Sequence, residues 1–451
     1  MTHAPMHAAD LPVSRAARTH PAAGAGHAAG RRRSWLESMG RRLVARALER
    51  VALGGVVLED GGERVCAPGV VRGRVEPLPG HAESRVPEVR VHDPRFYSAA
   101  AFGGSVGLGE AYMDGHWTCD DLPALIETLT VNAEAMRGLE GPIARLLLPL
   151  ARLRAGLRRN TRAGSRRNIR AHYDLSNEFF ALFLDPTMSY SCAIFERGAH
   201  TLEAAQVEKI DRACRTLGLT KTDHLLEIGT GWGALAIHAA TKYGCRVTTT
   251  TISDRQHEYA ARRIALAGLS DRITLLKQDY RDLRGQFDKL VSIEMIEAVG
   301  REHLDTYFGT CARLLKPSGA ALIQAIVIRD QFFEEAAARP DFLKTYIFPG
   351  SCLLGVEAML GSVRRCTDLR PSHLEDIGPH YATTLACWRE RFLARLDDVR
   401  GLGFDERFVR MWDYYLAYCQ GVFAARRTGD VQLLLVKPMH RGRAHAEGPP
   451  A

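Results

Sequence analysis

The 451-residue chain lacks any apolar run of the roughly 18–20 residues that a membrane-crossing helix needs. Its longest apolar patch, Leu146-Leu-Leu-Pro-Leu-Ala151, is short and interrupted by proline. The N-terminus is rich in Ala, His and Gly and has no apolar segment of the kind a secretory leader carries, so the expected location is the cytoplasm. The ten cysteines are scattered and form no Cys-x-x-Cys pair. That spacing argues against a zinc cluster and against a disulfide framework, and no metal site is expected. Internal repeats are absent. Acid is missing from one long stretch: between Glu140 and Asp174 there is no Asp or Glu.

Arginine fills that stretch. Arg145, Arg152, Arg154, Arg158, Arg159, Arg162, Arg166, Arg167 and Arg170 all fall there, and Arg31-Arg-Arg33 and Arg41-Arg42 form a second cluster. They dominate a net charge of +8. Such patches attract phosphate, on nucleic acid or on anionic lipid; a solvated linker is the plain alternative. The composition divides the chain into a disordered tail over 1–34, a small mixed domain over 35–139, a basic linker over 140–170, a larger domain over 171–437 and a loose tail over 438–451. In the small domain, apolar residues recur at helical spacing from Trp35 to Val51 between arginines, which predicts an amphipathic basic helix. Short strands are predicted at Val56–Leu58, Val70–Val71 and Val89–Val91. A helix capped by Asp120 or Asp121 is expected from Leu122 to about Met136.

The larger domain alternates strand and helix. Strands are expected at 223–228, 245–251, 272–276, 288–293, 320–327 and Val431–Val436. This pattern predicts an α/β fold with a mostly parallel sheet covered by helices on both faces. Ligands of such sheets sit beyond the carboxyl ends of the strands. One stretch stands out there: Leu225-Leu-Glu-Ile-Gly-Thr-Gly-Trp-Gly233, an apolar strand ending in Glu227 and closely spaced glycines before a helix start. Glycines permit a tight turn and let a ligand approach the main chain. The string also fits Gly-x-Gly-x-x-Ala, a dinucleotide pattern, but the next strand ends in threonines rather than the acid that pattern expects. Glu227, two residues before the first glycine, resembles the S-adenosylmethionine (SAM) pocket of class I methyltransferases.

Several further segments, in order, carry a more specific resemblance. They are Leu108-Gly-Glu-Ala-Tyr-Met-Asp-Gly-His-Trp117, Ala171-His-Tyr-Asp-Leu-Ser-Asn-Glu-Phe-Phe180, Asp185-Pro-Thr-Met-Ser-Tyr-Ser-Cys192, Thr251-Ile-Ser-Asp-Arg-Gln256, Gln278-Asp-Tyr-Arg-Asp282, Glu294-Met-Ile-Glu-Ala-Val-Gly300 and Tyr346-Ile-Phe-Pro-Gly350. Together with the glycine turn, they resemble the cyclopropane-fatty-acyl-phospholipid synthase family over about residues 90–437. The resemblance implies a class I, Rossmann-like SAM methyltransferase domain. Its SAM pocket would be built from Tyr190, Ser191, Glu227, Gly229, Gly231, Gly233, Thr251, Ile252, Gln256, Asp279 and Tyr280. It also implies a bicarbonate ion as bound general base, held by Cys192 and Ile326 through their backbones and by Glu297, Gln324 and Tyr381. Cys419 aligns with a cysteine named as a family active-site residue, although methyl transfer to an alkene needs no thiol. Glu294 is expected to support the shell around Glu297.

The implied reaction transfers a methylene group from SAM to the cis double bond of an unsaturated phospholipid acyl chain and forms a cyclopropane. Water must be excluded, because it would quench the carbocation. Here the sequence departs from the family: Gln324 stands where a His is usual. A Gln amide donates to an anion but carries no proton, so a methylene- or methyl-branched product stays open. The implied setting is peripheral, on the inner face of the cell membrane, with the arginines on anionic lipid; a homodimer stays open. RNA and small-molecule methylation are the remaining alternatives. No RNA-binding motif accompanies the basic stretch, so no nucleic-acid partner is expected.

Overall fold

The structure is a computed structural model and describes residues 33–133, 175–196 and 198–441. The basic stretch 140–170, most of the tail 1–34 and residues 442–451 lie outside the described residues. The chain forms two compact units. The first takes the described residues up to 133 together with Arg339–Ile347 and Leu385–Arg427. The second takes those from 175 to Ala338, then Phe348–Thr384, and the end of the chain from Thr428.

In the first unit, four short strands form one sheet: β1 (Val57–Asp60), β2 (Glu63–Cys66), β3 (Glu88–Val91) and β4 (Trp117–Cys119), in the order β2-β1-β3-β4. The amphipathic helix is present as Trp35–Leu48; Ser34 caps it and Glu37 reaches back to the cap nitrogen. Its Leu48 is buried, while Trp35 and Leu36 are exposed. The expected strand at Val70–Val71 is instead the end of a helical turn, Pro68–Val71. Proline at the first helical position has its φ preset for a helix and gives up no needed donor, and this outweighs the β preference of two valines. The helix Leu122–Val131 is capped by Asp121, whose side chain accepts from the Ala124 N–H at 3.1 Å.

The second unit is built on a seven-stranded sheet: β5 (His224–Ile228), β6 (Arg246–Thr251), β7 (Ile273–Lys277), β8 (Phe287–Ile293), β9 (Leu315–Ile328), β10 (Arg370–Asp376) and β11 (Thr428–Val436). The order is β10-β11-β9-β8-β5-β6-β7. Strands β5 to β9 pair in parallel; β11 is antiparallel to β9, and β10 to β11. This is the class I methyltransferase sheet. The chain order reverses direction between β5 and β8, and a ligand crevice opens at such a point beyond the carboxyl ends of the strands.

Alternation within the strands explains why both faces are covered. Leu226, Leu290, Ala321 and Ile323 pack into one apolar core; Leu225, Val291, Ala320 and Leu322 pack into another. Successive residues point to opposite faces, so a doubly covered strand is apolar at every position. On the Leu225 side the lining helix is Leu202–Thr216, which contributes Ile210, Ala213 and Cys214. Towards the carboxyl ends of the strands the same face turns polar. Glu227 lies two residues past Leu225, and Gln324 two past Leu322. Across the β9–β11 ladder Gln324 faces Gln432, and Ile326 faces Asp430. Cross-strand partners share a face, so this one face collects Glu227, Gln324, Asp430 and Gln432.

Candidate active site

The loops at the carboxyl ends of β5 to β8 enclose a cavity of about 210 Å³. After β5 the chain turns through Gly229 (φ 99°), Gly231 (φ 54°) and Gly233 (φ 91°) into the helix Ala234–His238. All three angles lie in the left-handed region that side chains disfavour. At Gly233 an added Cβ would also sit 3.3 Å from the Ala260 Cβ. Gly233 thus serves as the helix cap, and it is not among the residues lining the cavity. The other ten residues that the resemblance assigns to SAM do line it: Tyr190, Ser191, Glu227, Gly229, Gly231, Thr251, Ile252, Gln256, Asp279 and Tyr280.

Several are locally held. The Thr249 hydroxyl donates to Glu227 Oε2 at 2.6 Å. Thr251 donates to Gln256 Oε1 at 3.0 Å. Both oxygens of Asp279 accept from Arg281, at 2.8 and 2.6 Å. The Tyr190 ring packs edge-on against Phe180, with centroids 5.3 Å apart. Trp232, in the glycine turn, packs on Phe180 at 5.1 Å and donates to Asn177 Oδ1 at 2.8 Å. SAM carries a sulfonium cation, and the site offers aromatic faces and a buried carboxylate to match it. Burial pushes the Glu227 carboxyl up to about 8. A cationic ligand would restore the ionised form.

Sequence reasoning missed Lys209. It projects from the helix Leu202–Thr216 into the cavity wall and donates to the Ser191 hydroxyl at 2.6 Å. Burial lowers its pKa, opposed by the nearby Glu294. The only sequence signal is a lysine on the apolar stripe of that helix, next to Ile210.

Of the five residues assigned to a bicarbonate cradle, Cys192, Gln324 and Tyr381 converge on the side chain of Glu294, while Ile326 pairs with Glu297. Glu294 Oε1 accepts from the Cys192 backbone N–H at 2.8 Å and from Gln324 Nε2 at 2.9 Å. Its Oε2 accepts from the Tyr381 hydroxyl at 2.6 Å. Gln324 Nε2 also donates to Asp430 Oδ2 at 2.9 Å, and its oxygen accepts from Gln432 Nε2 at 3.0 Å. Glu297 is set one step back: its Oε1 accepts from the Ile326 N–H at 2.6 Å, and its buried Oε2 has no hydrogen-bond partner among the described residues. Of these groups Glu294 lines the cavity; Cys192, Glu297, Gln324, Ile326, Tyr381 and Asp430 do not. Cys419 is elsewhere, half-buried on the helix Glu406–Ala424 of the first unit, where burial raises its thiol pKa.

Comparison with known proteins places this geometry. Residues 160–433 match the family model for mycolic acid cyclopropane synthetase. The chain belongs to that family. It is 39% identical to a tuberculostearic acid methyltransferase of Mycobacterium tuberculosis, over 82% of this chain and 86% of that one. It is 38% identical to the cyclopropane-fatty-acyl-phospholipid synthase of Escherichia coli, over 77% of this chain and 86% of the relative. The solved mycolic acid cyclopropane synthase CmaA1, in complex with SAH and CTAB, superposes with a TM-score of 0.57 at 31% identity, covering 60% of this chain and 98% of that one. As a member of the cyclopropane synthetase family the protein is a SAM-dependent C-methyltransferase that modifies lipid acyl chains. Among the described residues no helix is long and apolar enough to cross a membrane.

Buried carboxyls, Glu227, Glu297 and Asp430 among them, give the synthetase fold a pH signature. Burial, reinforced by Glu294, pushes Glu297 up to about 8, and burial alone does the same to Glu227. In the unfolded chain a Glu titrates near ~4.3. Folded pKa values above the unfolded one mean that the folded state binds more protons between the two. Stability is therefore greatest at the acid end of that window and falls as pH rises through about 8. Chemical denaturation of the ligand-free protein across that window should record a loss on the order of a few kcal/mol. Glu297→Gln should reduce the slope, leaving the share of Glu227 and Asp430; an unchanged slope would place the proton elsewhere.

Proposed function

We propose that the protein transfers a one-carbon unit from SAM to the cis double bond of an unsaturated phospholipid acyl chain and so forms a cyclopropane fatty acyl chain. The observation carrying this reading is the pairing of two walls in one cavity. The glycine turn and Glu227 form the donor side, and Glu294, with its three donors, stands on the other. When bound, SAM supplies a methyl group electrophilic enough for an unactivated alkene. Tyr190 and Glu227 would orient its sulfonium, and the Thr251–Gln256 pair and Tyr280 would face the rest. Phe180, Phe183 and Phe348 pack around the Tyr190 ring and back that side of the cavity without lining it; a carbocation formed there would have to be kept from water. The wall around Glu294 is where a proton would be collected, by a bound bicarbonate or by a residue of the chain.

A second reading is favoured by one observation. Gln324 stands in the wall as a neutral donor to two carboxyl groups, of which Asp430 has its pKa raised by burial and by Glu294, rather than as a proton carrier. A different proton position would lead to a methylene-branched chain, and a saturated methyl branch would then need a separate reductant. The similarity to a tuberculostearic acid methyltransferase supports this alternative. In either case the setting is the inner membrane surface, with anionic headgroups attracting the arginines; each basic residue near such a surface contributes about 1 kcal/mol. A homodimer is compatible with both readings.

Incubation with SAM and vesicles of cis-unsaturated phospholipid tests the proposal. The acyl chains should gain the mass of one CH2, and chromatography against cyclopropane and methylene standards then separates the two products. If the lipids stay unchanged while SAM is bound, both readings fail.

A further inference from the structure

The backbone at Glu294 is unusual. Its φ is 46°, one of three positive values at non-glycine residues among those described. An L-residue in the left-handed region carries strain, and such outliers cluster where the surroundings over-determine them for function. Here they do. The Glu294 N–H is tied to the Gln324 carbonyl at 2.9 Å, which fixes the end of β8 against β9. The side chain then enters the polar patch at the carboxyl end of β9 and the amino end of β11, where the Cys192 N–H, Gln324 Nε2 and Tyr381 hydroxyl all point at it.

An ionised carboxylate has about four lone-pair sites. Three are taken by these donors. The fourth lies on Oε2, beside the Tyr381 contact, on a residue that lines the cavity. Three of the groups that would grip a small carbonate anion in this wall, the Cys192 N–H, Gln324 Nε2 and the Tyr381 hydroxyl, are therefore already spent on Glu294, and a fourth, the Ile326 N–H, is spent on Glu297. Asp430 completes the arrangement. It is fully buried, linked to Glu294 through the shared Gln324 amide, and its Oδ1 has no hydrogen-bond partner among the described residues.

We propose that Glu294 is a catalytic residue: its carboxylate stands in the place of a bound bicarbonate and is the proton acceptor of the reaction. The inference rests on the proposed transfer to an alkene. As the bond from sulfur to the methyl carbon breaks, the alkene electron pair forms the new carbon–carbon bond, and the second alkene carbon is left cationic. Glu294 takes a proton from the new methyl group. The electrons of that C–H bond close a three-membered ring onto the cationic carbon. Alternatively, a hydride first moves from the methyl-bearing carbon to the cationic one, and the same C–H electrons form an exocyclic double bond. In both cases one proton passes to Glu294 and no oxidant or reductant is consumed.

The test compares wild type, Glu294→Gln and Glu294→Gly in buffer stripped of carbon dioxide, with and without added bicarbonate, on unsaturated phospholipid vesicles. Wild-type turnover should be indifferent to bicarbonate. Glu294→Gln should lose on the order of 100-fold or more in turnover, the usual effect of removing a positioned base, while SAM titration shows the variant still folded and binding. Glu294→Gly opens space for an anion, and bicarbonate should restore part of its turnover. The proposal is overturned by a wild-type enzyme that stops without bicarbonate, by a Gln variant that keeps its rate, or by a SAM-binding Gly variant that bicarbonate does not help. A wild-type protein that modifies no lipid at all would instead remove the alkene reading on which the inference rests.

Discussion

Glu227→Gln is expected to weaken SAM binding by about 10- to 100-fold, the equivalent of losing a hydrogen bond or ion pair of roughly 1.5–3 kcal/mol at a charged group. The physical reason is desolvation. Glu227 is 3% exposed, and its Oε2 accepts from Thr249, deep at the end of β5. Burial holds its pKa at about 8 in the ligand-free protein. A donor bearing a sulfonium and an ammonium favours the ionised carboxyl, so binding releases a proton. Affinity for SAM should therefore rise by up to about tenfold per pH unit below 8 and level off above it. Calorimetry across this window checks both parts, because the Gln variant should bind weakly and without that slope. If wild-type affinity is flat with pH and the substitution changes nothing, Glu227 is not the cation's partner.

Asp413→Ala should destabilise the first unit by about 3–5 kcal/mol, the cost of stripping one member from a buried charge network. Asp413 is 1% exposed. It accepts from the Tyr112 hydroxyl at 2.6 Å and from Arg389 Nε at 2.7 Å. Arg410 covers the Tyr112 ring at 4.4 Å and donates to the Tyr112 and Trp117 carbonyls, so the acid sits inside a tied polar cluster. Alanine would leave a buried hydroxyl and a guanidinium without their acceptor. Urea denaturation followed by tryptophan fluorescence should report the loss. A shift below about 1 kcal/mol, typical of a surface change, would mean that water replaces the carboxylate there.

Much of the site was legible from local chemistry. The glycine turn after an apolar strand can be read because left-handed backbone angles demand that residue type. Glu227, Thr251, Gln256, Asp279 and Tyr280 came from the resemblance to the family, and they sit at or just after the carboxyl ends of strands, where an α/β sheet keeps its ligands. The long strands of the second unit were visible as apolar runs. Strands β2, β4 and β10 were not, since Glu63–Cys66, Trp117–Cys119 and Arg370–Asp376 have little apolar content and exist by pairing with a neighbour. Lys209 and Asp430 were missed for a related reason. A lone lysine on a helix and an acid beginning a strand look like surface residues until the partner elements are known.

Local patterning in the sequence was enough for the parallel sheet and the glycine turn, whereas the grouping of Gln324, Cys192, Ile326, Glu297 and Tyr381 came from the resemblance to the family and not from local geometry. The tertiary structure alone decided what fills the centre of that site. Glu294 and Glu297 are three residues apart on one turn and chemically alike. Only the packing of the Cys192 segment and the helix Pro379–Ala394 against the paired strands β8 and β9 aims three donors at Glu294, while β9 alone supplies the one that reaches Glu297.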